Sequence, residues 1–295
     1  MTWAIPAKTF LVGEYVALWG GPAIVLTTSP CFEISLTNQE GLHGIHPESP
    51  AGRWWNNQRI QHMGLQWSDP YQGCGGVGAS SAQFLGAYYA GIALQEKPFV
   101  QSEMLEAYLE SAWNGQGRPP SGYDVLAQNM SGCVYINRQN NVCQTYIWPF
   151  DDLAFILLHT GKKLATHHHL HDLVLSDGVD VLVRVADCAL NAFEQSNSEK
   201  LVDAIHAYHQ QLLAMDLVAT HSKHAVELLQ RQEGVLAVKG CGALGADVLL
   251  VLVSAQALSQ QVERLASFGW SLIATSQELY QCKSGVSPSV KHCGE

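Results

Sequence analysis

The sequence has no excess of positive charge: 16 Lys and Arg stand against 26 Asp and Glu, a formal charge of −10. No basic stripe runs through it, which argues against nucleic acid as a partner. An anionic ligand would depend on a few lysines and on loop amides for a local positive field. Runs of about 18 apolar residues are absent, so no membrane span is expected. Met1-Thr2-Trp3-Ala4 lacks the basic region of a signal peptide, and none is expected. The eight cysteines never form a Cys-x-x-Cys pair, and a 295-residue chain is too large for a disulfide-stapled miniature. Reduced thiols and a cytoplasmic setting follow as the plain expectation. Charged residues are scarce, 14% against 47% hydrophobic, which excludes disorder. Internal repeats and low-complexity tracts are missing too. The length suits about two domains with a substantial core.

What is present is glycine in informative company. Gly73-Cys74-Gly75-Gly76-Val77-Gly78 packs four glycines into six residues, and Ala79-Ser80-Ser81-Ala82 follows. Such a loop reaches positive φ and lets a ligand approach the backbone. Ala82–Leu94 then runs almost without charge, as a buried helix does. A glycine loop, hydroxyls and a helix start make an anion site, because the first N–H groups of a helix have no internal partner. The plainer alternative is a glycine-rich turn capped by Ser80. The loop is not a Walker phosphate loop, since no Gly-Lys-Ser/Thr follows, and serines stand where a dinucleotide fingerprint has its last glycine.

Along the chain, Thr9–Val12, Tyr15–Leu18, Ala23–Thr27 and Phe32–Leu36 read as antiparallel strands divided by Gly20-Gly21-Pro22 and Ser29-Pro30. Residues 37–72 read as a long polar loop, whose Trp54 and Trp55 either line a base pocket or cover a core. A helix opens at Ser102 with Met104, Leu105, Tyr108, Leu109 and Ala112 on one face. Pro119-Pro120 forbids helix, which places Asp124 just past a rigid turn at the start of a new element. Cys133–Asn137 and Cys143–Trp148 form a hairpin pattern. Asp151-Asp152 marks a boundary, giving domains 1–150 and 151–295. The second half carries strands at Leu153–His159, Val235–Lys239, Val248–Val253 and Trp270–Ala274, with helices at 175–196, 198–215, 220–232 and 255–268. It reads as an α+β unit with helices on one side of an antiparallel sheet.

Three separated segments resemble one family. Ala7-Lys8-Thr9-Phe10-Leu11-Val12-Gly13-Glu14-Tyr15 with Gly20-Gly21-Pro22-Ala23 resembles the opening motif of the GHMP small-molecule kinases. Gly76-Val77-Gly78-Ala79-Ser80-Ser81-Ala82 resembles their phosphate loop, and Lys239 to Asp247 their third glycine motif. Gly13-Glu14-Tyr15, Ser121-Gly122-Tyr123-Asp124-Val125 and His159-Thr160-Gly161-Lys162 resemble the mevalonate-pathway branch, that is, the phosphomevalonate and mevalonate kinases. The chain departs from the pattern at Ala79, at Leu244 in place of a glycine, and at Trp113, where mevalonate kinases have a Mg²⁺-binding glutamate.

The resemblance implies a two-domain α+β fold, with an N-terminal α/β domain holding a left-handed βαβ-type nucleotide site and a ferredoxin-like C-terminal domain. It implies ATP and Mg²⁺ as cofactors, a small anionic acceptor as partner, and a homodimer as one possible assembly. Lys8 and Asp124 are implied as catalytic: Asp124 orients or deprotonates the acceptor, and Lys8 stabilises the transferring phosphoryl. Gly75, Gly76, Gly78, Ala79, Ser80 and Ser81 are implied to hold the triphosphate, with Gly242, Ala243 and Gly245 closing over the triphosphate or the acceptor, and Ser81, or alternatively Ser80, on Mg²⁺. Glu14, Tyr15, Ser121, Gly122 and Lys162 are implied to bind the acceptor. The implied reaction moves the γ-phosphoryl of ATP to 5-phosphomevalonate, or alternatively to free mevalonate. A degenerate member of the family that binds nucleotide or a partner without turnover is the rival, on the strength of the three departures. His167-His168-His169-Leu170-His171 invites a metal reading, but consecutive ligands converge poorly and a rim near an anion is the better account.

Overall fold

The computed structural model describes residues 1–60, 62–161, 178–281 and the backbone of 290–291. Lys162, Lys163 and the histidine run lie outside the described residues. Two sheets divide most of the chain between them. The first contains β1 (Thr2–Val12), β2 (Ala23–Thr37), β3 (Gly41–His43), β4 (Gly64–Ser68), β5 (Cys133–Asn137) and β6 (Val142–Tyr146). β1 and β2 pair antiparallel along most of their length. The other edge of β2 is shared: β4 takes Glu33–Thr37 and β5 takes Ala23–Leu26. The second sheet contains β7 (Leu153–His159), β8 (Val235–Cys241), β9 (Val248–Ser254) and β10 (Ser271–Thr275), and β11 (Val290–Lys291) returns to β1. Its order is β10-β7-β9-β8, antiparallel throughout, which is the ferredoxin-like arrangement.

Four local expectations are corrected. Ala23–Thr27 and Phe32–Leu36 are not divided by Ser29-Pro30 but form the single strand β2. Tyr15–Leu18 is no strand: Gly13 at φ 106° and Tyr15 at φ 67° turn the chain away from extension into a single 3-10 turn, Val16–Trp19. An added Cβ at Gly13 would meet the Ala23 Cβ, so the reversal brings the chain against the start of β2. The 37–72 segment is no plain loop, because Pro50 at the helix start and the Ser49 cap, which accepts from the Gly52 amide at 3.1 Å, nucleate α1 (Pro50–Asn57). Trp54 and Trp55 on α1 are buried, and Trp54 packs 5.1 Å from the Tyr88 ring. Helices also cover both faces of the second sheet rather than one. Ile156, Val251 and Val238 pack on α7 (Thr220–Gln230) and α8 (Leu258–Ser267). Phe155, Leu250 and Leu252 join the main core with α5 (Val179–Glu194) and α6 (Ser198–Ala214). The unbroken apolar run Val248–Val253 is the signature of a strand buried on both faces.

The remaining helices, α2 (Ala79–Leu94), α3 (Gln101–Ala112) and α4 (Tyr123–Gln128), belong to the first half. α2 is buried along most of its length, on β1 and β2 with α1 alongside, which fixes where its N-terminus points.

Candidate active site

Lys8 lies on β1, and its backbone N–H donates to the Val77 carbonyl at 3.0 Å, tying the glycine loop to the strand. The loop ends at Gly78, which caps α2 at φ 84° with no side-chain cap. The first-turn amides of α2 therefore stay open to an anion. Glycine is required there twice over. L side chains rarely hold that φ, and an added Cβ would come 2.7 Å from Lys8 Cγ. α4 begins in the same way, on Gly122 at φ 76° with no side-chain cap, and carries Asp124 in its first turn. The Asp124 carboxylate accepts from Lys8 at 2.9 Å. One turn on, Gln128 donates to the carbonyls of Pro6 (2.8 Å) and Gly78 (3.1 Å), fastening α4 to β1 and the loop together.

Asp124 and Ser80 open onto one cavity of about 660 Å³, whose wall also includes Arg53, Tyr108, Trp113 and Arg118. Burial, then the Asp124 carboxylate, push the Tyr108 phenol well above its usual range, so it faces the site as a neutral hydroxyl. Lys8 is 10% exposed and Asp124 33%, so the cation sits beneath the carboxylate. Of the two serines, Ser81 is buried and donates to the Gly78 carbonyl at 3.0 Å, whereas Ser80 is exposed to the cavity. The hydroxyl open to the cavity is thus that of Ser80, the alternative of the two serines named from the sequence. Ser121 and Gly122 shape the turn that presents Asp124: the Ser121 hydroxyl accepts from the Tyr123 amide at 3.3 Å and its carbonyl from Arg138 at 2.7 Å.

Glu14 and Tyr15 stand elsewhere. Glu14 pairs with Lys239 of β8 in full burial, and the Tyr15 hydroxyl accepts from the Leu244 amide at 2.8 Å. Neither lines the Asp124 cavity; both join the opening motif to the third glycine motif. That motif turns at Gly242 (φ 82°), and Leu244 takes the left-handed conformation (φ 54°) in its glycine-like place. Ala243 and Gly245 complete the turn, with Gly245 backed onto Gly240. The motif also abuts the phosphate loop. A Cβ on Gly76 would lie 2.7 Å from Asp247 Cβ, and one on Gly75 3.0 Å from Asp247 Cγ. The three glycine segments therefore meet in space, although the Gly242–Gly245 turn does not line the cavity. Sequence reading missed Arg53, Tyr108 and Arg118 in the wall. It named Lys239 only as the head of the third glycine motif and missed its pairing with Glu14, whose signal was a lone charge inside the apolar run Val235–Cys241. Among the described residues, no cluster of three His, Cys, Asp or Glu side chains is placed to hold a metal.

No protein-family model matches the chain, and no curated protein matches it in sequence. Solved structures do. The mevalonate kinase of Methanococcus jannaschii superposes with a TM-score of 0.75 at 15% identity, covering 95% of this chain and 98% of that one. The phosphomevalonate kinase of Streptococcus pneumoniae, in complex with phosphomevalonate and AMPPNP, gives 0.75 at 14% identity over 93% and 99%. The galactokinase of Lactococcus lactis, complexed with galactose, gives 0.74 at 14% identity over 98% and 95%. At these identities the likeness is one of fold, and the fold is that of the GHMP small-molecule kinases.

Proposed function

We propose that this chain is an ATP-dependent phosphotransferase of the GHMP kinase type, with residues 1–150 as its nucleotide-binding domain and 151–295 as the domain that flanks the site. The observation that carries the reading is the Lys8–Asp124 pair, 2.9 Å apart, at a cavity shared with the uncapped start of α2. Phosphoryl transfer needs a cradle for the triphosphate, charge neutralisation and an oriented acceptor. The open amides of Ala79, Ser80 and Ser81 suit the first requirement, and the cavity-facing Ser80 hydroxyl fits a Mg²⁺ ligand. Mg²⁺, when bound, neutralises charge on the β- and γ-phosphate oxygens. Where the acceptor is an alcohol, Asp124 takes the proton of its hydroxyl; where it is already a phosphate, Asp124 orients it and no base is needed. Lys8 holds that carboxylate in place and offers its charge to the phosphoryl in transit.

As acceptor we propose a small metabolite of the mevalonate route, 5-phosphomevalonate first. Support comes from the Gly13-Glu14-Tyr15 and Ser121–Val125 segments, and from a fold neighbour seen with phosphomevalonate and AMPPNP. Free mevalonate is the second reading, and the ion-paired Asp124 favours it, because a general base matters most when the acceptor is an alcohol. Asp124→Asn decides between them: kcat falls more than about 100-fold with an alcohol acceptor, and a loss under about tenfold contradicts Asp124 as general base.

A further inference from the structure

The charged groups in the wall of the Asp124 cavity pair off with one left over. Asp124 has Lys8 at 2.9 Å, and Arg53 has Glu48 at 3.5 Å. His46 accepts the Glu48 amide on Nδ1 at 3.1 Å, so it can donate only through Nε2. Arg118 has no carboxylate within ion-pair distance among the described residues, yet it is held in place. Its guanidinium carbon lies 4.0 Å from the centre of the Trp19 ring. Stacking uses the flat face of a guanidinium and leaves the N–H groups along its edge free for a planar, bidentate anion. The backbone that carries the platform is tied down, since the Trp19 carbonyl accepts from the Gln139 side chain at 3.0 Å. The loop is fixed as well: the Trp113 indole donates to the Gln116 carbonyl at 2.9 Å, and Pro119-Pro120 follows Arg118 directly. In a chain of net charge −10, an arginine held over an indole ring, exposed, and with no carboxylate partner among the described residues calls for an anion from outside.

We propose that Arg118 is a specificity-determining residue that grips an anionic group, carboxylate or phosphate, on the acceptor whose hydroxyl or phosphate end lies at Asp124. The inference rests on the phosphotransfer reading and names the class of acceptor within it. Arg118 reaches the cavity on the segment that leads into Asp124, while the amides suited to ATP come from α2 on separate chain. The anion it grips is assigned to the acceptor through this shared segment; because Ser80 of α2 lines the same cavity, the KM for Mg-ATP is the control that separates this from a nucleotide contact.

The test is steady-state kinetics of wild type, Arg118→Gln and Arg118→Lys. The acceptors are mevalonate, 5-phosphomevalonate and 3-methylbutane-1,3-diol, which keeps the primary alcohol and lacks both anionic groups. Arg118→Gln is expected to raise the KM of the preferred anionic acceptor at least about tenfold and leave the KM for Mg-ATP within about twofold. The lysine variant should fall between, having charge without the planar fork. The diol should be a poor substrate for wild type and no poorer for Arg118→Gln. The mevalonate and phosphomevalonate arms tell a carboxylate from a phosphate contact. An unchanged acceptor KM, or a rise confined to ATP, overturns the proposal while leaving phosphotransfer intact. If wild type turns over no acceptor, the phosphotransfer reading fails separately. Calorimetric titration with malonate and inorganic phosphate then decides Arg118: binding weakened in Arg118→Gln upholds it as an anion site, and equal binding overturns it.

Discussion

His209 on α6 is 2% exposed, and its Nδ1 has no hydrogen-bond partner among the described residues. Burial first, then the charges of Lys239 and His206, pull its pKa down to about 4. An unfolded histidine titrates near 6.5, so between those values the unfolded chain binds the extra proton and stability falls as pH falls. The loss begins below about pH 6.5, is complete near pH 4, and amounts to about 3 kcal/mol from this one group. Melting temperatures from pH 7 to 4 should therefore drop less steeply in His209→Phe than in wild type, and parallel curves would contradict this role. The same scale shows where the sequence was hard to read. Lys8 and Asp124 were found through their motifs and do meet. Ser80 and Ser81 were both legible as hydroxyls, but only the direction of the first turn of α2 tells which faces the cavity. Arg118 carries no sequence signal, because its meaning comes from Trp19, which is remote in sequence.

At the scale of elements, the junction of glycine loop and α2 makes the sharpest claim. Gly78→Ala forces a Cβ into a left-handed cap and against Lys8 and Gln128. Gly73 has a similar φ of 83° with nothing within 4 Å of its would-be Cβ, so Gly73→Ala isolates backbone strain, about 1–2 kcal/mol, from the clash. Urea denaturation should show Gly78→Ala to be the less stable of the two. Calorimetry with AMPPNP should show at least about a tenfold loss of affinity in Gly78→Ala alone. Wild-type affinity in Gly78→Ala would contradict the loop as a triphosphate cradle. Most elements were legible from periodicity, and the second sheet nearly strand for strand. The errors have physical causes. Tyr15–Leu18 has strand-forming residues but follows a glycine at φ 106°. Ala23–Thr27 and Phe32–Leu36 are one strand, because β2 runs on through Ser29-Pro30. Helices on both faces of the second sheet were implicit in Val248–Val253, since a one-sided sheet alternates.

For the whole molecule, the two sheets are joined by a small polar core. Lys239 is fully buried on Glu14 and donates also to the Gly240 carbonyl at 3.1 Å, while the Tyr208 hydroxyl donates to the Glu14 carbonyl at 2.8 Å. Burial alone would lower the Lys239 pKa, but Cys241 and the Glu14 carboxylate more than offset it, and the net direction is up. Lys239→Met strands a buried carboxylate and should cost about 3–5 kcal/mol in urea denaturation, with much of it recovered in Glu14→Leu/Lys239→Met. A single variant of wild-type stability would contradict the pair as a joint between the halves. Holding the third glycine motif against the first half is what sets Asp247 on the phosphate loop, and so the joint bears on the site itself. The central claim, phosphoryl transfer through Lys8 and Asp124, is tested most directly by coupled ADP release. Wild type and Asp124→Asn are compared with Mg-ATP and mevalonate, 5-phosphomevalonate, galactose and homoserine as acceptors. Acceptor-dependent release by wild type, reduced more than about 100-fold in Asp124→Asn on an alcohol, is the result this account expects. Silence with every acceptor, from protein whose melting temperature ATP still raises, would contradict it and leave a nucleotide binder.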